Sequence, residues 1–164
     1  MSLMSGPNTR QPLYTAAQRA RRDATKWTLV QGILAPIQFV VFLISLALVL
    51  RYLSTGEGYG AANASILLKT AILYLIMVTG AIWEKVVFGQ YLLAPAFFWE
   101  DMVSFAVIFL HTLYLYGLFT AMMGPESLMW LAIAAYFIYV LNAAQFLLKL
   151  CAARLEMTPE VQHA

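Results

Sequence analysis

The stretch from Trp27 to Leu50 reads WTLVQGILAPIQFVVFLISLALVL and contains no Asp, Glu, Lys or Arg. The hydrocarbon layer of a bilayer is ~30 Å thick, and a helix needs ~20 predominantly apolar residues to cross it. This run is longer than that minimum. It therefore predicts a transmembrane helix.

Three further stretches have the same character. Residues 70–83, 102–125 and 127–148 carry no charged side chain, and the first of them extends back to Ala64 if Lys69 snorkels towards the headgroups. Gly-rich and Pro-containing turns separate the runs. We predict an all-α fold, an integral membrane bundle of four transmembrane helices, with spans at about 27–53, 64–87, 101–123 and 127–150.

The composition excludes several classes of protein. Of the 164 residues, 62% are hydrophobic and 11% are charged, and the mean hydropathy is +0.76. Soluble domains are about half apolar and about a quarter charged, so a water-soluble globule is excluded. The net charge of +2 gives no reason to expect a nucleic-acid partner. Cys151 is the single cysteine, which excludes an intrachain disulfide and a thiolate metal cluster.

Lys and Arg cluster at one end of the four-pass topology. Cytoplasmic loops carry an excess of these residues, so both termini are predicted to be cytoplasmic. The basic residues at that end are Arg10, Arg19, Arg21, Arg22, Lys26, Lys85, Lys149 and Arg154, and those at the opposite end are Arg51 and Lys69. Residues 1–26 form a basic amino-terminal segment, and residues 151–164 form a short cytoplasmic tail.

Thr15 and Gln18 have the spacing of a capping box, which predicts a short basic helix over 15–26. Two interpretations of this segment stay open. It lies on anionic headgroups as an interfacial helix, or it is a solvated basic tail.

The link from Glu84 to Asp101 is strongly apolar and is interrupted by Gly89 and Pro95. We predict that it lies in the interface or enters the bilayer as a re-entrant turn. Irregular backbone at that depth is tolerated where protein covers it or where it lines a cavity. The link therefore indicates a site.

Polar residues inside the predicted spans recur at helical spacing. Such residues are costly in lipid and usually face the bundle interior. The sets that share a face are Gln31, Gln38 and Ser45; Glu100, Ser104 and His111; and Asn142, Gln145 and Lys149. Most of them fall in the predicted cytoplasmic half. This pattern predicts a polar pocket, walled by aromatic residues, that opens to the cytoplasm or its interface.

Each of these residues also has a structural interpretation. Gln and Asn side chains can join helices by hydrogen bonds, and Lys149 can be a snorkelling anchor. Glu100 and Asp101 can be an acidic pair favoured by the dipole at a helix amino terminus. His111 can make a purely structural hydrogen bond. These alternatives stay open at the level of sequence.

Three segments carry a family resemblance. They read RARRDATKWTLVQGILAPIQ over 19–38, IWEKVVFGQYLLAPAFFWED over 82–101 and NAAQFLLKL over 142–150. The chain resembles the 2-vinyl bacteriochlorophyllide hydratases, also called chlorophyllide a 3-vinyl hydratases, over roughly residues 12–155. The family supplies no settled catalytic assignments, so no residue role is carried over from it.

The resemblance implies a hydro-lyase of bacteriochlorophyll biosynthesis. Such an enzyme adds water to the vinyl group of a magnesium chlorin or bacteriochlorin and gives a 3-(1-hydroxyethyl) group. It implies no cofactor of the protein's own, because the magnesium belongs to the substrate. It also implies a multi-pass protein of the bacterial inner membrane, cytoplasmic or intracytoplasmic. Neighbouring pathway enzymes and a second copy of the chain stay open as partners.

Hydration of a vinyl group needs a proton donor and a positioned water. We expect Glu84 or Glu100 to be the acid and Asp101 or His111 to hold the water, with His111 also a candidate axial ligand of the substrate's magnesium. The remaining residues predicted to bind substrate are Trp83, Phe97, Phe98 and Trp99 for the ring, Lys85 or Lys149 for its propionates, and also Gln38, Asn142 and Gln145.

Two other functions fit the pattern less completely. A tetrapyrrole carrier or pigment-assembly protein without catalytic activity would use the same pocket and aromatics. A haem protein would need two axial histidines, and His111 and the terminal His163 are poorly placed to supply both.

Overall fold

The computed structural model describes residues 12–157, and these form helices joined by short turns. The helices are α1 (Ala16–Ala24), α2 (Lys26–Thr55), α3 (Tyr59–Phe88), α4 (Phe98–Phe119) and α5 (Pro125–Met157). Four of them, α2 to α5, are long and apolar enough to cross a membrane. The predicted all-α class with four apolar spans is confirmed. Arg10 and His163 lie outside the described residues.

The turns explain where the long helices end. Gly56 and Gly58 adopt left-handed φ angles of 73° and 84°, which a side chain with a Cβ disfavours, and they close the turn between α2 and α3. Gly89 at φ 89° ends α3 in the same way. Because α3 runs to Phe88 and α4 starts at Phe98, the predicted apolar link shrinks to residues 89–97.

Packing arranges the four spans as two helical hairpins. α2 lies along α3 and α4 lies along α5, and the contacts between the two hairpins are less extensive. Their shared interior contains a hydrophobic cluster whose fully covered members include Val49, Val107 and Met129. Many large apolar side chains, such as Leu29 and Phe119, point away from the protein. An apolar exterior suits a chain surrounded by lipid.

Lys69 corrects one sequence-based prediction. The snorkelling position predicted for its side chain is wrong, because Lys69 is 0% exposed and its Nζ lies 3.7 Å from the centroid of the Tyr139 ring. The lysine thus points into the bundle. Arg51 remains as the basic residue at that end of α2.

The predicted capping box is confirmed at the start of α1. The Thr15 hydroxyl accepts a hydrogen bond from the Gln18 N–H at 3.2 Å, and the Gln18 side chain accepts one from the Thr15 N–H at 2.8 Å. Tyr14, just before the helix, is 4% exposed and stacks on Phe88. Arg22 lies 4.8 Å above the Tyr14 ring, and burial raises the pKa of the Tyr14 hydroxyl. α1 is therefore docked on the end of α3.

Candidate active site

Two buried acids meet beneath the link between α3 and α4. The Leu93 N–H donates to Asp101 Oδ2 at 2.7 Å, and the next N–H, that of Ala94, donates to Glu84 Oε2 at 3.2 Å. Leu93 has a φ of 59°, a left-handed conformation that is uncommon for a residue with a side chain. Such strained backbone is concentrated at functional sites. Here it aims two consecutive N–H groups at two carboxyl groups.

Because these two N–H groups are consecutive in the chain, the carboxyl groups of Glu84 and Asp101 are neighbours. Glu84 is 5% exposed and Asp101 is 3% exposed, so protein covers both. Two carboxylates held close together repel each other, which favours the state in which one of them is protonated. We call Glu84 and Asp101 the carboxyl pair. Its geometry suits a group that gives up and takes back one proton.

Glu100 takes a different direction from its neighbour Asp101, as expected for adjacent residues on a helix. Its Oε2 accepts a hydrogen bond from Lys149 Nζ at 2.6 Å, and Lys149 also donates to the Ala96 carbonyl. Ser104 donates to the Glu100 carbonyl at 2.9 Å. Glu100 is therefore an ion-paired carboxylate that ties α4 to α5.

The aromatic residues predicted to bind the ring fall into two groups. Phe97 is 2% exposed and packs edge-on against Trp83 at 5.7 Å between ring centroids. The Trp83 indole N–H donates to Thr28 Oγ1 at 2.9 Å. Phe98 and Trp99 are 40% and 70% exposed and lie on the outside of the bundle. The first group supports the link from within, and the second faces the surrounding medium.

Lys85 is occupied at the surface. Its Nζ donates to the Gly89 carbonyl at 2.8 Å and lies 5.3 Å from the centroid of the Tyr91 ring. Lys85 thus helps to cap the carboxyl end of α3.

His111 lies deeper in the bundle than the carboxyl pair. Ten residues separate it from Asp101 on α4, a rise of ~15 Å. Its Nδ1 is 2.8 Å from the Val107 carbonyl, which can only accept, so Nδ1 carries the proton and Nε2 keeps its lone pair. Nε2 is buried and has no hydrogen-bond partner among residues 12–157. His111 thus makes the structural hydrogen bond through Nδ1 and still has Nε2 available to bind a ligand.

The Gln and Asn side chains of the spans are of two kinds: some bond another helix, and some keep amide atoms without a partner in the described residues. Gln31 Nε2 donates to Thr79 Oγ1 at 2.7 Å, so Gln31 joins α2 to α3. Gln38 is 1% exposed, and neither of its amide atoms has a partner in the described part of the chain. Asn142 donates to Ser104 Oγ at 2.8 Å, but its own oxygen has no partner among the residues that the structure describes. The Gln145 oxygen is also buried and has no partner in that part of the chain.

The structure therefore separates the predicted site residues into two neighbourhoods. One lies beneath the link and contains the carboxyl pair, Glu100 and Lys149. The other lies in the bundle interior and contains His111 together with Lys69, which sequence reasoning placed at the headgroups. The signal for Lys69 was available: it is a charge inside an otherwise apolar run, and such residues usually face inward.

A groove of 230 Å³ opens between α2 and α5 beside the second neighbourhood. Its walls are apolar and aromatic, and the lining residues are Phe42, Leu46, Ile133, Tyr136, Phe137 and Val140. Two of these rings, Phe42 and Tyr136, also face the Lys69 ammonium. None of the predicted acids contributes to the groove.

Comparison with known proteins identifies the family. The profile of the 2-vinyl bacteriochlorophyllide hydratase family matches residues 14–152. The chain belongs to this family. Members that it resembles include the 2-vinyl bacteriochlorophyllide hydratase of Cereibacter sphaeroides, 72% identical over 88% of this chain and 90% of the relative. That of Rhodobacter capsulatus is 65% identical over 93% of this chain and 88% of the relative. No solved structure matches the chain.

Proposed function

We propose that this chain is a hydratase that adds water to the vinyl group of 2-vinyl bacteriochlorophyllide in bacteriochlorophyll biosynthesis. The observation that carries the proposal is the family match over residues 14–152, together with two hydratase relatives that align over most of their length. The product is the 3-(1-hydroxyethyl) pigment. The tetrapyrrole and the lipid bilayer are the partners.

The protein spans the bacterial inner membrane with both termini in the cytoplasm. The distribution of basic residues supports this orientation, because the described ends of α1, α3 and α5 carry most of the Lys and Arg. Because Lys69 points into the bundle, the difference in the number of basic residues between the two ends is larger than the sequence indicated. Arg51 alone remains as a basic side chain on the outer end of the described spans.

The reaction proceeds in two proton-transfer steps. A carboxylic acid protonates the terminal carbon of the vinyl group, and the macrocycle delocalises the cation left at the inner carbon. Water then adds to that carbon and loses a proton to a carboxylate, which restores the acid. The sum is one vinyl group and one water converted to one 1-hydroxyethyl group, with no net change in the protein.

The carboxyl pair fits these two roles. Glu84 is the acid, and Asp101 accepts the proton of the water and passes it back to Glu84, because two consecutive backbone N–H groups hold the two side chains as neighbours. Glu100, the other acid expected from the sequence, forms an ion pair with Lys149. It therefore positions α4 and α5 around the pair rather than donating a proton.

The rest of the ring lies deeper in the bundle. His111 Nε2 has a free lone pair and coordinates the substrate's magnesium. Asp101 and His111 are both buried on α4, so His111 would hold the centre of the macrocycle and leave one edge of the ring directed to the carboxyl pair. Gln38, Asn142 and Gln145 add buried amide atoms that have no hydrogen-bond partner within residues 12–157.

Substitution of the carboxyl pair tests the mechanism. Purified Glu84→Gln and Asp101→Asn should lose hydration by at least about 100-fold in kcat, within the usual range for an acid–base group. Both should still bind pigment, followed by absorbance titration. The matched control is Glu126→Gln, an exposed acid in the first turn of α5.

Full activity in both variants would discard the carboxyl-pair mechanism. A wild-type protein that binds the vinyl pigment in a defined reaction but forms no product of higher mass by one water would instead favour the carrier function.

A further inference from the structure

The Lys69 side chain is buried at the centre of the bundle. It is 0% exposed, and Nζ has no hydrogen-bond partner in the described part of the chain. The centroids of the Tyr139, Tyr136 and Phe42 rings lie 3.7, 5.4 and 5.7 Å away. Aromatic faces attract a cation but do not neutralise its charge. A buried charge without a counter-charge is costly.

The groups that face Lys69 from the other helices supply no anion. α2 presents Phe42, α4 presents the His111 imidazole, and α5 presents the two tyrosines. The described acids of the inner half are engaged elsewhere, with the link in the case of the carboxyl pair and with Lys149 in the case of Glu100. Lys69 is therefore complementary to an anion from outside the chain.

The groove between α2 and α5 supplies an apolar surface next to Lys69. The groove has a volume of 230 Å³ and is lined by apolar and aromatic side chains. Two of them, Phe42 and Tyr136, also belong to the three rings that surround Lys69. A molecule that occupies the groove packs against Phe42 and Tyr136, the two groove residues whose rings also face Lys69. The arrangement suits a flat apolar body that carries one carboxylate.

We propose that Lys69 binds the free carboxylate of the pigment substrate and selects it over the esterified pigment. The inference rests on the proposed function, which supplies the tetrapyrrole, because a bacteriochlorophyllide carries a free propionate that bacteriochlorophyll carries as a long-chain ester. The sequence-predicted partners of that propionate, Lys85 and Lys149, already donate to Gly89 and Glu100. An ester lacks the negative charge that a carboxylate would pair with the Lys69 ammonium.

The test compares binding of the free acid and of its methyl ester. Wild-type protein in lipid nanodiscs should bind the acid about 10- to 100-fold more tightly, the range expected for a charge-assisted hydrogen bond. Lys69→Met should bring the two Kd values within about threefold of each other by weakening the acid alone. Lys69→Arg should keep most of the preference, and Lys26→Met, an exposed lysine, should keep all of it.

Lys69→Met is expected to fold, since it replaces a buried charge by an apolar side chain of similar length. Equal wild-type affinities for acid and ester would overturn the inference, and so would a Lys69→Met variant that weakens both ligands alike. Product formation is followed in the same samples. Binding with acid preference but without product would refute the hydratase function and leave the carboxylate site standing.

Discussion

At the scale of single residues, the buried polar side chains separate into those that hold helices together and those that keep free atoms. Gln31 and Gln38 are the clearest pair, since they lie two turns apart on one face of α2. Gln31 bonds Thr79, whereas Gln38 is more deeply buried and bonds nothing within residues 12–157. An unsatisfied buried amide costs about 1–3 kcal/mol, so Gln38 is expected to serve substrate rather than stability.

Substitution by methionine separates the two roles. Gln38→Met removes an unsatisfied buried amide, so it should leave the unfolding temperature in detergent unchanged or raise it. Because the same amide is expected to bind the pigment, the substitution should weaken pigment binding several-fold. Gln31→Met should lower stability by about 1 kcal/mol with little effect on pigment affinity, because it removes an interhelical hydrogen bond. A Gln38→Met protein that loses as much stability as Gln31→Met would contradict this assignment.

At the scale of the helices, Gly117 on α4 lies directly beneath side chains of the following turn and of the start of α5. A Cβ built on Gly117 would lie 2.7 Å from Met123 Sδ and 3.3 Å from Leu128 Cδ2. Gly32 on α2 has nothing within 4 Å of the same position. The hairpin of α4 and α5 is therefore sterically tight at its turn, whereas the outer face of α2 is open.

The two glycines make a matched experiment. Gly117→Leu should destabilise the protein by about 1–3 kcal/mol, the usual effect of overpacking. Gly32→Leu should be neutral or slightly stabilising, because glycine is a poor helix former. Thermal unfolding of the two purified variants measures the difference. Equal stability of the two would mean that the α4–α5 turn can relax around a larger side chain.

At the scale of the whole molecule, the proposed orientation places the carboxyl pair near the cytoplasmic face. The basic end of the bundle contains α1, the link 89–97 and the last turns of α5. Cys151, the single cysteine, is exposed on α5 at that same end. It is thus a natural reporter of topology.

Labelling with a maleimide that does not cross membranes tests the orientation. Cys151 should react in inverted membrane vesicles and stay unlabelled in intact spheroplasts. In a Cys151→Ser background, Glu57→Cys in the turn between α2 and α3 should give the opposite result. Labelling of Cys151 from outside intact spheroplasts would reverse the proposed topology and place the carboxyl pair on the outer side.

The amino-acid sequence by itself determined the parts of this protein that depend on local chemistry. Uncharged runs long enough to cross a bilayer predicted α2 to α5, and the Thr15–Gln18 spacing predicted the cap of α1, because both signals are contained within a few turns of chain. Helical spacing also predicted that Gln38, His111 and their neighbours face inward.

Tertiary structure alone decided which of these inward groups meet. The pairing of Glu84 with Asp101 depends on two backbone N–H groups of a strained link, and the pairing of Glu100 with Lys149 depends on how α4 lies against α5. The burial of Lys69 among rings from α2 and α5 has the same origin. Contacts between distant segments are set by packing, which no local pattern encodes.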